Sequence, residues 1–303
     1  MRITEEVAAA LAGGGPVVAL ESTLLAHGLP PGRNRKVATE VEDAVRAAGA
    51  VPATIAVLEG QIRVGLTDAE LDRLCAADSG FAKLSARDLG PAIALSRDGA
   101  TTIAGTAVIA HAAGIRVFGT GGLGGVHLPP PGDPLSWDVS ADLDVLSSTP
   151  VTVVCSGVKS VLDIGATIEV LETRSVPVLG YRTDFFPAFY RRESRFPLSW
   201  RVDTPTDAAA VITAHRTQGL ASGVLLTNPI PAEAEMAREL HDRLLSEGMA
   251  RVAEKGVRGG DVTPVLLEHF HTASDGVSLD ANVALVLSNV TLAAEVAVAL
   301  CAG

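Results

Sequence analysis

Cysteine is scarce: Cys75, Cys155 and Cys301 are the only three in 303 residues, and none are in CxxC spacing. An odd, scattered set fits reduced thiols better than a disulfide framework or a zinc site. Cys155 lies in the apolar run Val-Thr-Val-Val-Cys, where a small buried hydrophobe is expected. Positive charge is also short: 24 Lys and Arg stand against 35 Asp and Glu, a net charge of −11. A nucleic-acid surface needs the opposite excess, so no nucleic-acid partner is expected; one small phosphate bound locally remains compatible. Long apolar runs are missing too. No stretch approaches the roughly 20 residues of a membrane span, and the run from Val283 is interrupted by Ser288, Asn289, Thr291 and Glu295, as in a core helix. The opening Met-Arg-Ile-Thr-Glu-Glu carries acids where a signal peptide has a basic region and an apolar core. The expectation is a cytoplasmic protein without a membrane partner.

What is present is an alternation of short β-branched runs and helical segments. Val17–Leu20, Thr54–Leu58, Ile115–Phe118, Val151–Val154, Val176–Leu179 and Gly223–Leu226 predict buried strands. Arg33–Ala48, Asp68–Ala77, Gly105–Ala113, Ser160–Glu172 and Asp207–Arg216 predict helices. Strands apolar throughout imply a sheet covered on both faces, hence a largely parallel α/β fold in one domain. Gln61–Val64 predicts an antiparallel hairpin return, and Ala232–Lys255, Val262–Phe270 and Leu279–Ala302 a helical C-terminal part. Two stretches break the pattern: the glycine- and proline-rich Gly119 to Asp138, and Tyr181 to Arg201 with its aromatics and arginines. Both predict loops that carry ligand contacts or lids, or else plain surface.

Lysine is the most informative scarcity. Four lysines (Lys36, Lys83, Lys159, Lys255) stand beside twenty arginines. Where charge alone suffices, this chain uses arginine; a lysine at a strand end therefore suggests chemistry that needs a deprotonated amine. Lys159 follows the Val151–Val154 strand through Ser156-Gly157-Val158, at the carboxyl edge where α/β sheets collect ligands. A snorkelling surface lysine is the plain alternative. Glu21 ends the first strand, as a general acid or base raised by burial, or as a loop or capping acid. His27-Gly28 follows closely enough to share its cleft. Thr120-Gly121-Gly122-Leu123-Gly124-Gly125-Val126-His127 follows a strand and would let backbone N–H groups approach an anion, but prolines follow in place of the helix of a dinucleotide fingerprint. Asp138-Val139-Ser140-Ala141-Asp142 reads equally as a capped helix start or as a carboxylate site for a hard divalent cation.

Together these segments resemble the pseudouridine-5′-phosphate glycosidase family, which includes the proteins called indigoidine synthase A. The matching motifs are Pro-Val-Val-Ala-Leu-Glu-Ser-Thr (16–23), His-Gly-Leu-Pro (27–30), Gly-Ala-Val-Pro-Ala-Thr-Ile-Ala (49–56), Lys-Leu-Ser-Ala-Arg-Asp-Leu (83–89), Gly-Ala-Thr-Thr-Ile-Ala (99–104), the glycine run 120–127, Asp-Val-Ser-Ala-Asp-Leu (138–143), Val-Thr-Val-Val-Cys-Ser-Gly-Val-Lys-Ser (151–160) and Asn-Pro-Ile-Pro (228–231). They run in order from residue 16 to residue 231 of the 303. The resemblance implies a three-layer α/β/α core, a homotrimer, and reversible cleavage of pseudouridine 5′-phosphate to uracil and ribose 5-phosphate. It implies Glu21 as the catalytic acid, Lys159 as the lysine that forms a Schiff base with the sugar, and Lys83 as a second active-site lysine. Ile103 matches a substrate contact, as do Ser140, Ala141 and Asp142; Asn282 matches an active-site asparagine, and Thr120 and His127 fall in the substrate-lining glycine run. Asp138 matches a ligand of Mn2+, with other divalent cations compatible. The departures are a proline-rich insert, Pro129 to Pro134, and Cys-Ser-Gly-Val-Lys in place of Cys-Ala-Gly-Ala-Lys. Rival readings are another Schiff-base lyase or aldolase acting on sugar phosphates, a tailoring enzyme of indigoidine biosynthesis, and a binding protein without catalysis. The last gives no reason to keep both Lys83 and Lys159 among arginines.

Overall fold

The computed structural model describes residues 1–129, 137–257 and 262–302. Its strands are β1 (Arg2–Ile3), β2 (Val17–Glu21), β3 (Val51–Leu58), β4 (Gln61–Val64), β5 (Ala82–Leu84), β6 (Gly99–Thr101) and β7 (Val117–Gly119). They continue with β8 (Val126–His127), β9 (Thr152–Cys155), β10 (Leu162–Asp163), β11 (Val178–Tyr181), β12 (Trp200–Val202) and β13 (Leu225–Thr227). The helices are α1 (Glu5–Ala12), α2 (Thr23–His27), α3 (Arg33–Ala47), α4 (Asp68–Cys75), α5 (Leu89–Ala94) and α6 (Ile103–Ala112). After them come α7 (Ala141–Ser148), α8 (Ile164–Thr173), α9 (Pro205–Thr217), α10 (Arg238–Lys255), α11 (Val262–Ala273) and α12 (Val277–Ala302).

Nine strands form one sheet in the order β1-β4-β3-β2-β7-β9-β13-β11-β12, with β6 and β5 branching from β3. The pairs from β3 through β2, β7, β9, β13 and β11 to β12 are all parallel. The β3–β4 hairpin is antiparallel, as the sequence predicts, and β6 adds a second antiparallel pair. Side-chain alternation divides each central strand between two cores. Val18, Leu20, Val154 and Leu226 pack on one face with residues of α3, α9 and α12, while Val17, Ala19, Val153 and Leu225 pack on the other with residues of α1, α6, α7 and α8. Helices on both faces therefore make the expected α/β/α layering, because neither face of the apolar strands tolerates water.

The helix α12 is the chief correction to the reading of apolar runs. Its 26 residues are long and apolar enough, by length and composition, to cross a membrane. Here it lies across β2, β7 and β9 and against α3 and α9, with Asn289 fully buried among its apolar residues. Two predicted helices shift for local reasons. Thr102 caps α6 by accepting from the Gly105 N–H, so the helix opens at Ile103 and not at Gly105. The segment predicted as helix from Ser160 instead turns, pairs Leu162 and Asp163 with His127 and Val126, and starts its helix at Ile164, where Asp163 accepts from the Ala166 N–H at 2.9 Å. Residues 232–255 likewise split into a short 3-10 turn, Ala232–Ala234, and α10. The short strands β5, β6 and β12 were not predicted; three residues each are too few for a periodic signal. Of the proline-rich insert, Pro130 to Pro134 lie outside the described residues.

Candidate active site

Because β2, β7 and β9 run parallel, their carboxyl ends meet at one edge of the sheet, and there the chain opens a cavity of about 310 Å³. Its walls hold Glu21, Lys83, Ile103, His127, Asp138, Ser140, Ala141, Asp142 and Lys159, nine residues singled out from the sequence. Glu21 closes β2, Lys159 follows β9, Lys83 lies in β5, Ile103 opens α6, and Ser140 and Ala141 begin α7. Two positions fall behind the wall. Thr120 donates its hydroxyl to Glu21 Oε1 from the rear, and Asn282 sits beneath the glycine run, its Oδ1 buried and without a hydrogen-bond partner among the described residues. His27 is exposed and does not line this cavity.

Charges converge on Glu21. Burial pushes its carboxyl above the ordinary range, opposed first by the nearby Lys159, then by the Thr120 hydrogen bond and Lys83, while Asp142 adds to the rise. A protonated carboxyl therefore persists to higher pH beside an amine, which is the pairing an acid–base reaction at a lysine adduct requires. His127 is lowered by burial and by Lys159 and Lys83, against the pull of Asp138, whose Oδ2 is 3.8 Å from its Nδ1. Cys155, one residue class that could have competed as a nucleophile, is fully buried, and burial pushes its thiol up to about 12.

Several amides of the glycine run are taken up within the protein. Of its amides, Leu123 N–H donates to the Gly157 carbonyl, Gly124 N–H to Asp142 Oδ2 at 2.9 Å, and Val126 N–H to Thr167. The run is glycine for close packing: a Cβ on Gly122 would meet the Phe189 ring at 2.6 Å. The aspartate of the capped-helix motif works at this point. Buried Asp142 also accepts from the Ala104 N–H at 2.9 Å, and Ser140 Oγ accepts from the Asp142 N–H at 3.2 Å, so one carboxylate ties the glycine loop to the start of α6. The capped-helix reading of 138–142 therefore holds for Ser140, and Asp142 is the tie that shapes the wall. A methyl on Gly124 would sit 2.6 Å from Asp142 Oδ2. Gly124→Ala is expected to cost on the order of 2–4 kcal/mol by breaking charge-assisted hydrogen bonds at a buried carboxylate, measured by urea unfolding; stability at the wild-type value would show that this tie carries nothing.

Sequence reasoning missed Asn289, which it took as an interruption. Its Nδ2 donates to the Thr120 carbonyl at 2.8 Å and the Gly121 carbonyl at 3.1 Å, and its Oδ1 accepts from Asn228 at 3.0 Å. One buried amide thus locks the ends of β7 and β13 to α12, directly under Thr120 and Glu21. The available signal was an asparagine in an apolar helix, because such a residue is tolerated only when its hydrogen bonds are met.

The comparisons with known proteins cover nearly the whole chain. The family description "Indigoidine synthase A like protein" matches residues 6–299. The pseudouridine-5′-phosphate glycosidase of Salinispora tropica is 54% identical over 97% of this chain and 90% of its own. That of Symbiobacterium thermophilum is 53% identical over 99% and 97%. Among solved structures, the prealnumycin C-glycosynthase AlnA in complex with ribulose 5-phosphate superposes with a TM-score of 0.90 at 42% identity, covering 99% of this chain and 97% of that one. An indigoidine synthase A-like protein from Thermotoga maritima gives 0.87 at 35% identity, over 95% and 94%. On the full-length match, and on a fold and residue order shared from the first strand to the last helix, the chain belongs to the indigoidine synthase A-like family, whose relatives at about half identity are pseudouridine-5′-phosphate glycosidases.

Proposed function

We propose that this protein cleaves the C–C glycosidic bond of pseudouridine 5′-phosphate, reversibly, to uracil and ribose 5-phosphate, through an imine on Lys159. The observation that carries the reading is the meeting of Lys159, Glu21 and Lys83 in one cavity, with Glu21 held toward its protonated form. The names of the relatives support it, and so does the ribulose 5-phosphate complex of AlnA, since a pentose 5-phosphate is one half of the proposed substrate. The chemistry explains why a lysine and an acid are needed together. A nitrogen-linked base departs as a stabilised anion, but in pseudouridine the leaving atom is carbon. Opening the ribose ring releases O4′ from C1′ as a hydroxyl and leaves C1′ electrophilic, and the neutral Lys159 amine adds to it, losing one proton. A proton delivered by Glu21 to uracil C5 lets the C–C bond break, and water then hydrolyses the imine to release ribose 5-phosphate. In this reading Lys83, which lines the same cavity, would pair with phosphate or sugar oxygens. Incubation with pseudouridine 5′-phosphate is expected to release free uracil; no uracil at any substrate concentration would overturn the reading.

The family's metal fits one part of the cavity. Asp138 presents a partly exposed carboxylate beside His127, although no group of three or more His, Cys, Asp or Glu forms a cage among the described residues. A hard divalent cation held by one carboxylate and several waters needs no cage. We assign Asp138 as the residue that would hold Mn2+, which would supply positive charge to offset the anionic oxygens of the substrate. Asp138→Ala is expected to weaken Mn2+ binding by at least about tenfold with an unchanged melting temperature, followed by paramagnetic titration at matched free metal. Equal retention of metal by both proteins would remove the assignment.

A further inference from the structure

Glu21 has to hold its carboxyl steady beside Lys159, and Thr120 holds it by donating its hydroxyl to Oε1. Thr120 stands one residue past the end of β7. Its N–H still donates to the Val154 carbonyl at 3.0 Å, as in a ladder, but its carbonyl turns to a side chain. Asn289 Nδ2 donates to that carbonyl at 2.8 Å and to the Gly121 carbonyl at 3.1 Å. The other end of the amide is held as well: Asn289 Oδ1 accepts from Asn228 Nδ2 at 3.0 Å and from Ser156 Oγ at 3.3 Å. Asn228 is in turn fixed by its N–H on the Cys155 carbonyl at 2.8 Å and by an Nδ2 bond to Ser288 Oγ at 2.9 Å. Thr120, Ser156, Asn228 and Asn289 are all buried. The helix that carries Asn289, α12, packs with Val18 and Leu20 on one face of the sheet, whereas Ile103 and Leu162 of the cavity wall belong to the core on the other. The amide therefore reaches over the carboxyl edge of the sheet, from the layer behind the cavity to the residue that holds the acid.

We propose that Asn289 is a positioning residue for the acid: by fixing the Thr120 backbone it sets where the Thr120 hydroxyl, and with it the Glu21 carboxyl, stands relative to Lys159. The inference rests on the glycosidase reading of the site. Only an amide suits the place. One end must donate to two carbonyls while the other accepts from an amide and a hydroxyl, and an ionised carboxylate of the same size would face those carbonyls without a proton. A leucine would leave all four groups unpaired in a buried setting. The hold on Glu21 also has an electrostatic side. The Thr120 bond favours the ionised carboxyl and so works against the rise that burial causes; if Thr120 moves away, the carboxyl goes up further. The plain alternative is that Asn289 only pins α12 to the sheet, leaving the acid where it is.

Two single variants and their combination separate these readings. Asn289→Ser is too short to span both carbonyls, and Thr120→Val keeps the shape of Thr120 and removes its hydroxyl. Because the acid itself remains, each is expected to lower kcat for uracil release by about 10–10²-fold, the scale of a misplaced catalytic group. KM should stay within about twofold, since the front of the cavity is untouched. The limb of the pH–rate profile that falls as Glu21 ionises should move to higher pH in both, a shift that a mere loss of stability does not produce. If Asn289 acts through Thr120, the double variant should lose no more than the worse single one; independent effects would multiply. A wild-type kcat and pH limb in Asn289→Ser, or a multiplied loss in the double variant, would overturn the proposal, as would a Thr120→Val protein with the wild-type profile. Should Asn289→Ser fail to fold, Asn289→Asp, of the same volume, carries the same readouts, and after it Asn228→Ala, which removes the donor that orients the amide. A wild-type enzyme that releases no uracil overturns the glycosidase reading, whereas an active wild type with unaffected variants overturns the positioning role alone.

Discussion

Lys159→Arg is expected to lose at least about 10³-fold in uracil release, the scale seen when a covalent nucleophile is removed. The guanidinium keeps the positive charge and much of the length, so charge-based substrate binding survives while attack at C1′ does not. Borohydride added during turnover should trap a ribose 5-phosphate adduct on Lys159, mapped by mass spectrometry. An adduct on Lys83, or none at all, would defeat the assignment of Lys159. The local structure favours it. Lys159 is half-buried, its N–H donates to the Leu123 carbonyl at 3.2 Å, and its stem runs beside Gly122, so the backbone that presents the amine is tied to the glycine run. Lys83 is more exposed, on the short strand β5.

Glu21→Gln should lower kcat by about 10²–10⁴-fold, the range of one acid–base group, with little change in KM. The amide keeps the shape and an acceptor for the Thr120 hydroxyl but holds no transferable proton. The sign of the pH effect follows from the raised carboxyl. Its acid form survives above the ordinary carboxyl range, and activity that needs that acid falls as pH climbs through the raised value. The variant should lose this limb of the pH–rate profile. Stability should move the other way: burial penalises the ionised form, so above the unfolded carboxyl's pKa the wild-type fold bears a cost that the neutral amide lacks. Glu21→Gln is therefore expected to melt no lower than wild type at neutral pH. A variant with near-normal kcat would remove Glu21 from the mechanism, and one with a much lower melting temperature would identify it as a structural acid.

Much of the architecture was legible because periodicity and burial agree. The apolar strands Val17–Leu20 and Val151–Val154 admit no solvent face, and that alone requires helices on both sides. The scarcity of lysine marked Lys159 and Lys83 without any structure, since arginine cannot replace a nucleophilic amine. Other features were hidden because they depend on partners far away in the chain. The glycine run carries no sign in sequence that Asp142 takes up its Gly124 amide. Asn289 looked like a break in a helix until α12 was laid across β7, where its amide meets the Thr120 and Gly121 carbonyls.

The sequence by itself determined the layered α/β class, the residue types available for chemistry and the family, because these follow from local patterning and from motifs in order. The tertiary structure alone decided which of those residues share a cavity. It set Glu21 beside Lys159 and moved Thr120 and Asn282 behind the wall. The reason is physical: a pKa or a buried tie is a property of distances between groups remote in sequence, and only the packing of helices on the parallel sheet sets those distances.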